Sequence, residues 1–348
     1  MRITFVGPLV STFVKNDVTI LSEAHELDTI NSVPTKGRSG ASWLLELQIK
    51  IIASLLRRDA LFFWFADYYS FLPSLVARIL GKKVFVVAGG FDILYVPESG
   101  IGAQGKPLRW IAVKNTFLLA HHIFPVSHDT KNRLDESIPK HPPSTMIYNA
   151  VDTKTYHFDP RPRKRITLTV SQADSITEYY RKGIDCFIRI AKEMPDVEFH
   201  ILGLRGEMPD KARKEASGIS NVRVRAGRLP LEDVLEEFWD ASVYCQLSVE
   251  ETFGVSVAEA MSCGCIPVIS EVKSMMEVVG EAGHIVNRND TKAVVDAIRS
   301  GLGASDDERQ KVSKRGAAFD ISERAKKLLS VVNSVGGKYG QSPVHSDT

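Results

Sequence analysis

Two carboxylates, Glu251 and Glu259, stand with seven residues between them in the stretch 248–267, SVEETFGVSVAEAMSCGCIP. The preceding run 242–247 (SVYCQL) is short and largely apolar, of strand type, and 254–261 places Val255, Ala258 and Met261 on one helical face. A strand, an acidic loop and a helix start therefore follow one another. The loop Thr252-Phe253-Gly254 leaves amide NH groups unpaired at a helix start, where the dipole favours an anion such as a diphosphate. Glu259, on the helix itself, is better suited to accept hydrogen bonds from ribose or sugar hydroxyls. Without further context, two such acids also fit a solvated amphipathic helix.

A second set of residues could meet the same phosphate charge. Arg181-Lys182-Gly183 follows the polar stretch 172–180 and opens a helix over 184–193, and a lysine before a glycine at a helix start is well placed for phosphate. In the first half, Gly89-Gly90-Phe91-Asp92 ends a strand, where a tight turn with a capping aspartate is the alternative to a ligand contact. Adjacent His121 and His122 in the strand 121–126 point to opposite sides, which predicts one exposed and one satisfied inside rather than a catalytic pair.

The elements that must position these groups alternate. In the first half, strands are predicted over 3–6, 27–30, 61–65, 83–87 and 121–126, with helices over 10–24, 41–56, 72–80 and 108–119 between them. The pattern restarts with strands over 166–171, 197–202, 222–226, 242–247 and 266–269. Helices fall over 184–193, 209–216, 231–239 and 254–261, a short one begins at Met276, and three more span 290–302, 306–317 and 321–332. This alternation predicts an α/β fold with parallel sheets covered on both faces, binding ligands beyond the carboxyl ends of the strands. Gly7, Asp67, Gly89, Gly90 and Asp92 fall at such ends. The proline-rich, basic stretch 156–165 reads as a solvated linker, and the Gly- and Pro-rich 95–106 as a functional loop over an acceptor.

The string Glu251, seven residues, Glu259, continued by Ala260, Met261, Gly264, Pro267 and Val268, resembles the donor-site signature of the retaining glycosyltransferases of family 4. That resemblance implies the GT-B fold, two Rossmann-like doubly wound domains facing across a cleft. It implies an acceptor-side domain over 1–152, a linker over 153–165 and a nucleotide-sugar-binding domain over 166–318. A terminal helix over 319–335 would cross back to the first domain, ahead of a flexible tail over 336–348. By the same resemblance Lys182 and Glu251 are the catalytic pair, with Lys182 on the donor diphosphate and Glu251 on the transferred sugar. Arg181, Gly183 and the amides of Thr252, Phe253 and Gly254 would line the donor, with Glu259 on the ribose. Segment 146–152 (MIYNAVD) is similar to the one closing the first domain, with Ala150 for glycine. Three departures stand out: Gly89 replaces a histidine, 62–67 (FFWFAD) lacks another, and an arginine expected after the strand is replaced by Gln172 or its neighbours. Arg181 is one substitute, and another basic residue is the alternative.

Composition narrows the classes. The 348 residues exceed the usual size of a single core, which predicts two domains, and 44% apolar with 25% charged residues is ordinary for a globular protein. With 44 Lys and Arg against 42 Asp and Glu, there is no electrostatic footprint for nucleic acid. The four cysteines lack zinc-site spacing and read as reduced, buried thiols. MRITFVGPLV is a strand rather than a signal peptide, and no apolar run is long enough to span a bilayer. A cytoplasmic location follows as the expectation, with peripheral membrane contact left open. No Asp-x-Asp triplet occurs, so the expected chemistry is metal-independent and needs no cofactor, the nucleotide sugar being substrate. The expected reaction moves a sugar from a UDP- or GDP-linked donor to a hydroxyl of a glycan, a lipid-linked saccharide or a small glycoside. A nucleotide-sugar epimerase, a non-catalytic binder and hydrolysis by the Glu251/Glu259 pair are the rival readings. Sugar, base, acceptor, linkage and oligomeric state do not follow from the sequence.

Overall fold

The computed structural model describes residues 1–34, 40–96 and 100–337, and the chain divides into two compact units. Part of the loop read over 95–106, and the tail from 338 onward, lie outside the described residues. The first unit holds β1 (Arg2–Gly7), α1 (Thr12–Ala24), β2 (Glu26–Asn31), α2 (Ala41–Ser54), β3 (Ala60–Trp64), α3 (Tyr68–Ile79), β4 (Lys83–Ala88), α4 (Pro107–Leu119) and β5 (His122–Pro125). Most of α5 (His128–Ser137) completes it. All five strands are parallel in the order β2-β1-β3-β4-β5. Strands β3 and β4 are buried along almost their full length, which explains why they read as continuous apolar runs rather than alternating ones.

The second unit contains β6 (Lys164–Val170), α6 (Ile176–Arg181), α7 (Ile184–Lys192), β7 (Glu198–Leu202), α8 (Met208–Glu215) and β8 (Val222–Arg225). It continues through α9 (Leu231–Asp240), β9 (Ala241–Gln246), α10 (Val255–Ser262), β10 (Ile266–Ser270), α11 (Lys273–Val279), β11 (His284–Val286), α12 (Thr291–Leu302) and α13 (Asp306–Ala317). Its six strands are parallel in the order β11-β10-β9-β6-β7-β8. The order doubles back at β6 and β9, and loops after those strands share one sheet end, where such folds bind ligands. The last helix, α14 (Ile321–Val335), belongs from Ser322 onward to the first unit.

That helix is held by a buried ion pair. Arg324 grips Asp17 through Nε to Oδ1 at 2.5 Å and Nη2 to Oδ2 at 2.6 Å, while the Trp64 indole donates to Asp17 Oδ2 at 2.6 Å. Arg324 also donates to the Ile147 carbonyl at 2.9 Å. Asp17 is fully buried and Arg324 nearly so.

Several local expectations are corrected. Residues 176–180, read as part of a polar loop, form α6 together with Arg181 because Ser175 caps it, its hydroxyl accepting the Glu178 amide. Arg181-Lys182-Gly183 does lead into the helix that begins at Ile184, but out of a helix rather than a loop: Arg181 ends α6, Lys182 caps it, and Gly183, at φ +71°, is the N-cap of α7. Met276 lies inside α11, which Gly280 terminates at φ +57°. The basic stretch read as a solvated linker is fastened to the second unit. Arg163 donates to the carbonyls of Phe238 at 2.8 Å and Cys263 at 2.6 Å, and Phe158 fills the space beside Gly264. Ile147 is the last residue of the first unit before the chain passes into the second at Tyr148, and β6 begins at Lys164. All four cysteines are buried and free.

Candidate functional site

The loops after β6 and β9 are knitted together at the carboxyl end of the second sheet. A Cβ on Gly183 would meet the Leu247 carbonyl at 2.1 Å, and the Val249 amide donates to the Arg181 carbonyl at 2.7 Å. Only a glycine in the left-handed region permits that approach. It brings Lys182 onto Glu251, Nζ to Oε1 at 2.5 Å, although 68 residues separate them in sequence. Glu251 also accepts from Gln246 Nε2 at 2.9 Å and Ser248 Oγ at 3.0 Å, and its carbonyl accepts from Ser274 at 2.8 Å. Burial alone would raise the Glu251 carboxyl, but Lys182 and Arg181 outweigh it and hold the group below the usual range. The result is a fixed carboxylate carrying a partly exposed ammonium, preorganised by neighbours rather than by solvent.

Arg181 is directed inward. Its guanidinium donates to Glu178 at 2.7 and 3.1 Å and to the Glu250 carbonyl at 2.8 Å, and it lies 3.8 Å from Glu251. It shapes the acidic loop from behind. Arg205, after β7, reaches the place where the sequence lacks an arginine: it donates to Gln172 Oε1 at 2.8 Å, and its amide donates to the Ala173 carbonyl at 2.9 Å. Gly203 permits this by packing against the Ser171 carbonyl at φ +91°. Nothing in the spacing marked Arg205, since its neighbour Gln172 lies on another strand's loop.

Gly254, at φ +88°, starts α10 with the amides of its first turn facing the same sheet end. The Phe253 ring is buried among Tyr148 and Phe319, leaving only its backbone for a ligand. Half-buried Glu259, one turn into α10, is pushed up by burial to about 8, and the Tyr156 hydroxyl bonded to it pulls the other way. Tyr156 comes from the stretch read as linker, so no sequence signal paired the two. On the expectation that Glu259 takes the ribose, hydroxyls donating to it would favour the carboxylate, so nucleotide binding below pH 8 would release a proton. Nucleotide affinity is then expected to rise with pH from 6 to 8, with proton release measurable by calorimetry in buffers of different ionisation heat. An affinity flat with pH and free of proton release would remove Glu259 from the ribose contact.

In the first unit, Gly7 ends β1, and Asp67 and Gly89-Gly90 follow the neighbouring strands β3 and β4. Both aspartates turn inward. Asp67 caps α3, and Arg109 Nε donates to it at 2.7 Å. Asp92 is fully buried, accepts the amides of Ala66 at 3.1 Å and Gly90 at 2.9 Å, and is raised by burial to about 6. Asp67 thus serves as a helix cap and Asp92 as the acceptor in the glycine turn. The missing histidine at Gly89 has a steric reason: a Cβ there would lie 2.4 Å from the Trp64 ring and 2.6 Å from Phe65. A Cβ on Gly7 would likewise meet Trp64 at 2.8 Å. His121 accepts from the Val84 amide at 3.1 Å, and buried His122 bonds Thr145 at 2.9 Å, so both are structural. Among the described residues, no cluster of His, Cys, Asp and Glu could hold a metal ion.

Residues 167–303 match the model of the family described as "Glycosyl transferases group 1". Among curated proteins, the gpi3 subunit of the Schizosaccharomyces pombe phosphatidylinositol N-acetylglucosaminyltransferase is 24% identical over 303 residues, 78% of this chain and 66% of that protein. The Mycobacterium leprae phosphatidyl-myo-inositol mannosyltransferase is 28% identical over 166 residues, 44% of each chain. The Escherichia coli O-antigen chain mannosyltransferase B is 38% identical over 92 residues, 26% of this chain and 24% of that one. This chain thus spans less than two thirds of the curated relatives it matches. Among solved structures, sucrose-phosphate synthase from Thermosynechococcus elongatus aligns with TM-score 0.77 at 14% identity, covering 96% of this chain and 99% of that one. Anabaena HepE in complex with UDP and glucose aligns with TM-score 0.74 at 14% identity, covering 96% and 100%. These likenesses show the fold, the GT-B class of two Rossmann-like sheets.

Proposed function

We propose, from the premise that the second unit belongs to the group 1 glycosyl transferases, that this protein moves a sugar from a nucleoside diphosphate to a hydroxyl acceptor with retained anomeric configuration. The observation that carries the reading is the Lys182–Glu251 pair at the carboxyl end of β6 and β9, held by Gln246 and Ser248. As the bond from the anomeric carbon to the diphosphate breaks, negative charge grows on the leaving group. The Lys182 ammonium and the first-turn amides of α10 are placed to stabilise it without reorganising, and such preorganised donors act most in the transition state. Glu251 aligns Lys182 and offers its free edge to the sugar hydroxyls, while Glu259 takes the ribose. The donor is UDP- or GDP-linked, a choice supported by the UDP bound in the HepE relative. The acceptor is a lipid-linked or saccharide hydroxyl, favoured by relatives named for phosphatidylinositol. No metal enters the scheme, since Lys182 and the amides meet the diphosphate charge.

Arg205 supplies the second cation on the diphosphate in place of the missing arginine. Arg205→Ala is expected to weaken binding of the nucleoside diphosphate about tenfold while hardly changing that of the nucleoside. Equal affinity of the variant and wild type for the diphosphate, measured by calorimetry, would return that role to another residue. The reaction itself is tested by incubating the protein with UDP- and GDP-sugars and either phosphatidylinositol or saccharide acceptors, and reading the product anomer by NMR. Sugar joined to acceptor in the donor's configuration supports the reading. An altered free nucleotide sugar would make the protein an epimerase, and an inverted product would overturn the retaining mechanism.

A further inference from the structure

Helix α3 packs between α2 and α4 on one face of the first sheet, and all three leave large apolar side chains outside. On α3, Leu72, Leu75 and Ile79 recur at helical spacing, and Ile79 is 75% exposed. Leu45 and Ile49, four apart, are exposed on α2, and Leu108, 74% exposed, and Ile111, three apart, on α4. Folding normally hides such faces, and contiguous exposed apolar strips mark interaction sites. The charges are one-sided as well. These three helices carry Lys50, Arg78, Arg109 and Lys114; Lys50 pairs with Glu46 at 2.9 Å and Arg109 with Asp67, the cap of α3, which leaves Arg78 and Lys114 as the surplus. Arg57 and Lys106 add exposed positive charge at the ends of α2 and α4. The surface helix α13 of the second unit, by contrast, mixes Asp306, Asp307 and Glu308 with its bases and is strongly polar.

We infer that the α2–α3–α4 face docks this protein on an anionic lipid surface. An apolar strip enters the boundary between headgroups and acyl chains, and flanking lysines and arginines pair with anionic headgroups, the combination that holds peripheral helices on membranes. A second copy is the poorer occupant, because a two-fold contact would set this surplus of positive charge against itself. The inference stands apart from the transfer reaction and requires no nucleotide.

The test is co-sedimentation of the full chain with vesicles of phosphatidylcholine alone and of phosphatidylcholine mixed with phosphatidylglycerol. Wild type is expected to bind the mixed vesicles, less so as salt rises. Leu75→Glu/Ile79→Glu on α3, and independently Leu108→Glu/Ile111→Glu on α4, are each expected to weaken binding about tenfold or more. Ile285→Glu, an exposed position on β11 of the second unit, should leave it unchanged. Circular dichroism melting confirms that the variants are folded. Equal binding to both vesicle types, or full binding by folded α3 and α4 variants, would overturn the inference. So would a wild-type dimer in ultracentrifugation that those substitutions disperse, which would assign the face to a second copy.

Discussion

Replacing Lys182 by alanine is expected to slow sugar transfer about a hundred- to a thousandfold, the usual effect of removing one preorganised donor to a developing negative charge. The protein should remain folded. Glu251 keeps its hydrogen bonds from Gln246 and Ser248, and Arg181 lies 3.8 Å away, so its carboxylate is not left bare. The loss should fall on kcat more than on donor affinity, because the ammonium matters most once the glycosidic bond is breaking. Initial rates with the active donor, taken beside thermal unfolding of the same sample, separate the two effects. A folded variant turning over at the wild-type rate would exclude Lys182 from the mechanism.

The largest stability effect is expected in the other unit. Arg324→Ala leaves Asp17 buried without its guanidinium, keeping the Trp64 indole, and removes a donor from the Ile147 carbonyl. Removing one member of a buried ion pair costs about 3 to 5 kcal/mol, much of it the penalty of the charge left behind. Denaturant unfolding followed by tryptophan emission reads this well, since Trp43, Trp64 and Trp110 of the four tryptophans lie in the first unit. The double replacement Asp17→Leu/Arg324→Met should recover most of the loss, because no charge is then stranded. A single variant losing under about 1 kcal/mol would mean that water reaches Asp17.

How much of this was written in the sequence depends on whether the deciding contact was local. The alternation of apolar strands and amphipathic helices gave both parallel sheets to within a few residues, because burial imposes its period along the chain itself. Helix α6 escaped because its six residues show no clear face, although Ser175 and Glu178 carried the start signal. Strand β11, of three residues, is stabilised by pairing with β10 rather than by its own pattern. In the site, Glu251, Glu259, Lys182 and Gly254 were legible from residue type and spacing. Their partners were not: Gln246 and Ser248 became legible only through the turn after β9, Arg205 through the neighbouring strand, and Tyr156 through a segment whose prolines and arginines resembled a linker. Arg163 shows why charge runs mislead, since the carbonyls of Phe238, Ala241, Asp159 and Cys263 absorb its guanidinium. Asp67 and Asp92 show the converse, since an aspartate after a strand serves a neighbouring turn as readily as a ligand.

The most direct measurement is a calorimetric titration of the full chain with UDP and with GDP, repeated on Lys182→Ala/Glu259→Ala. Saturable binding of at least one nucleotide by wild type, lost in the variant while its melting temperature holds, is the predicted result. Absence of binding of either nucleotide to wild type, or equal binding by the variant, would contradict placement of the donor on these residues.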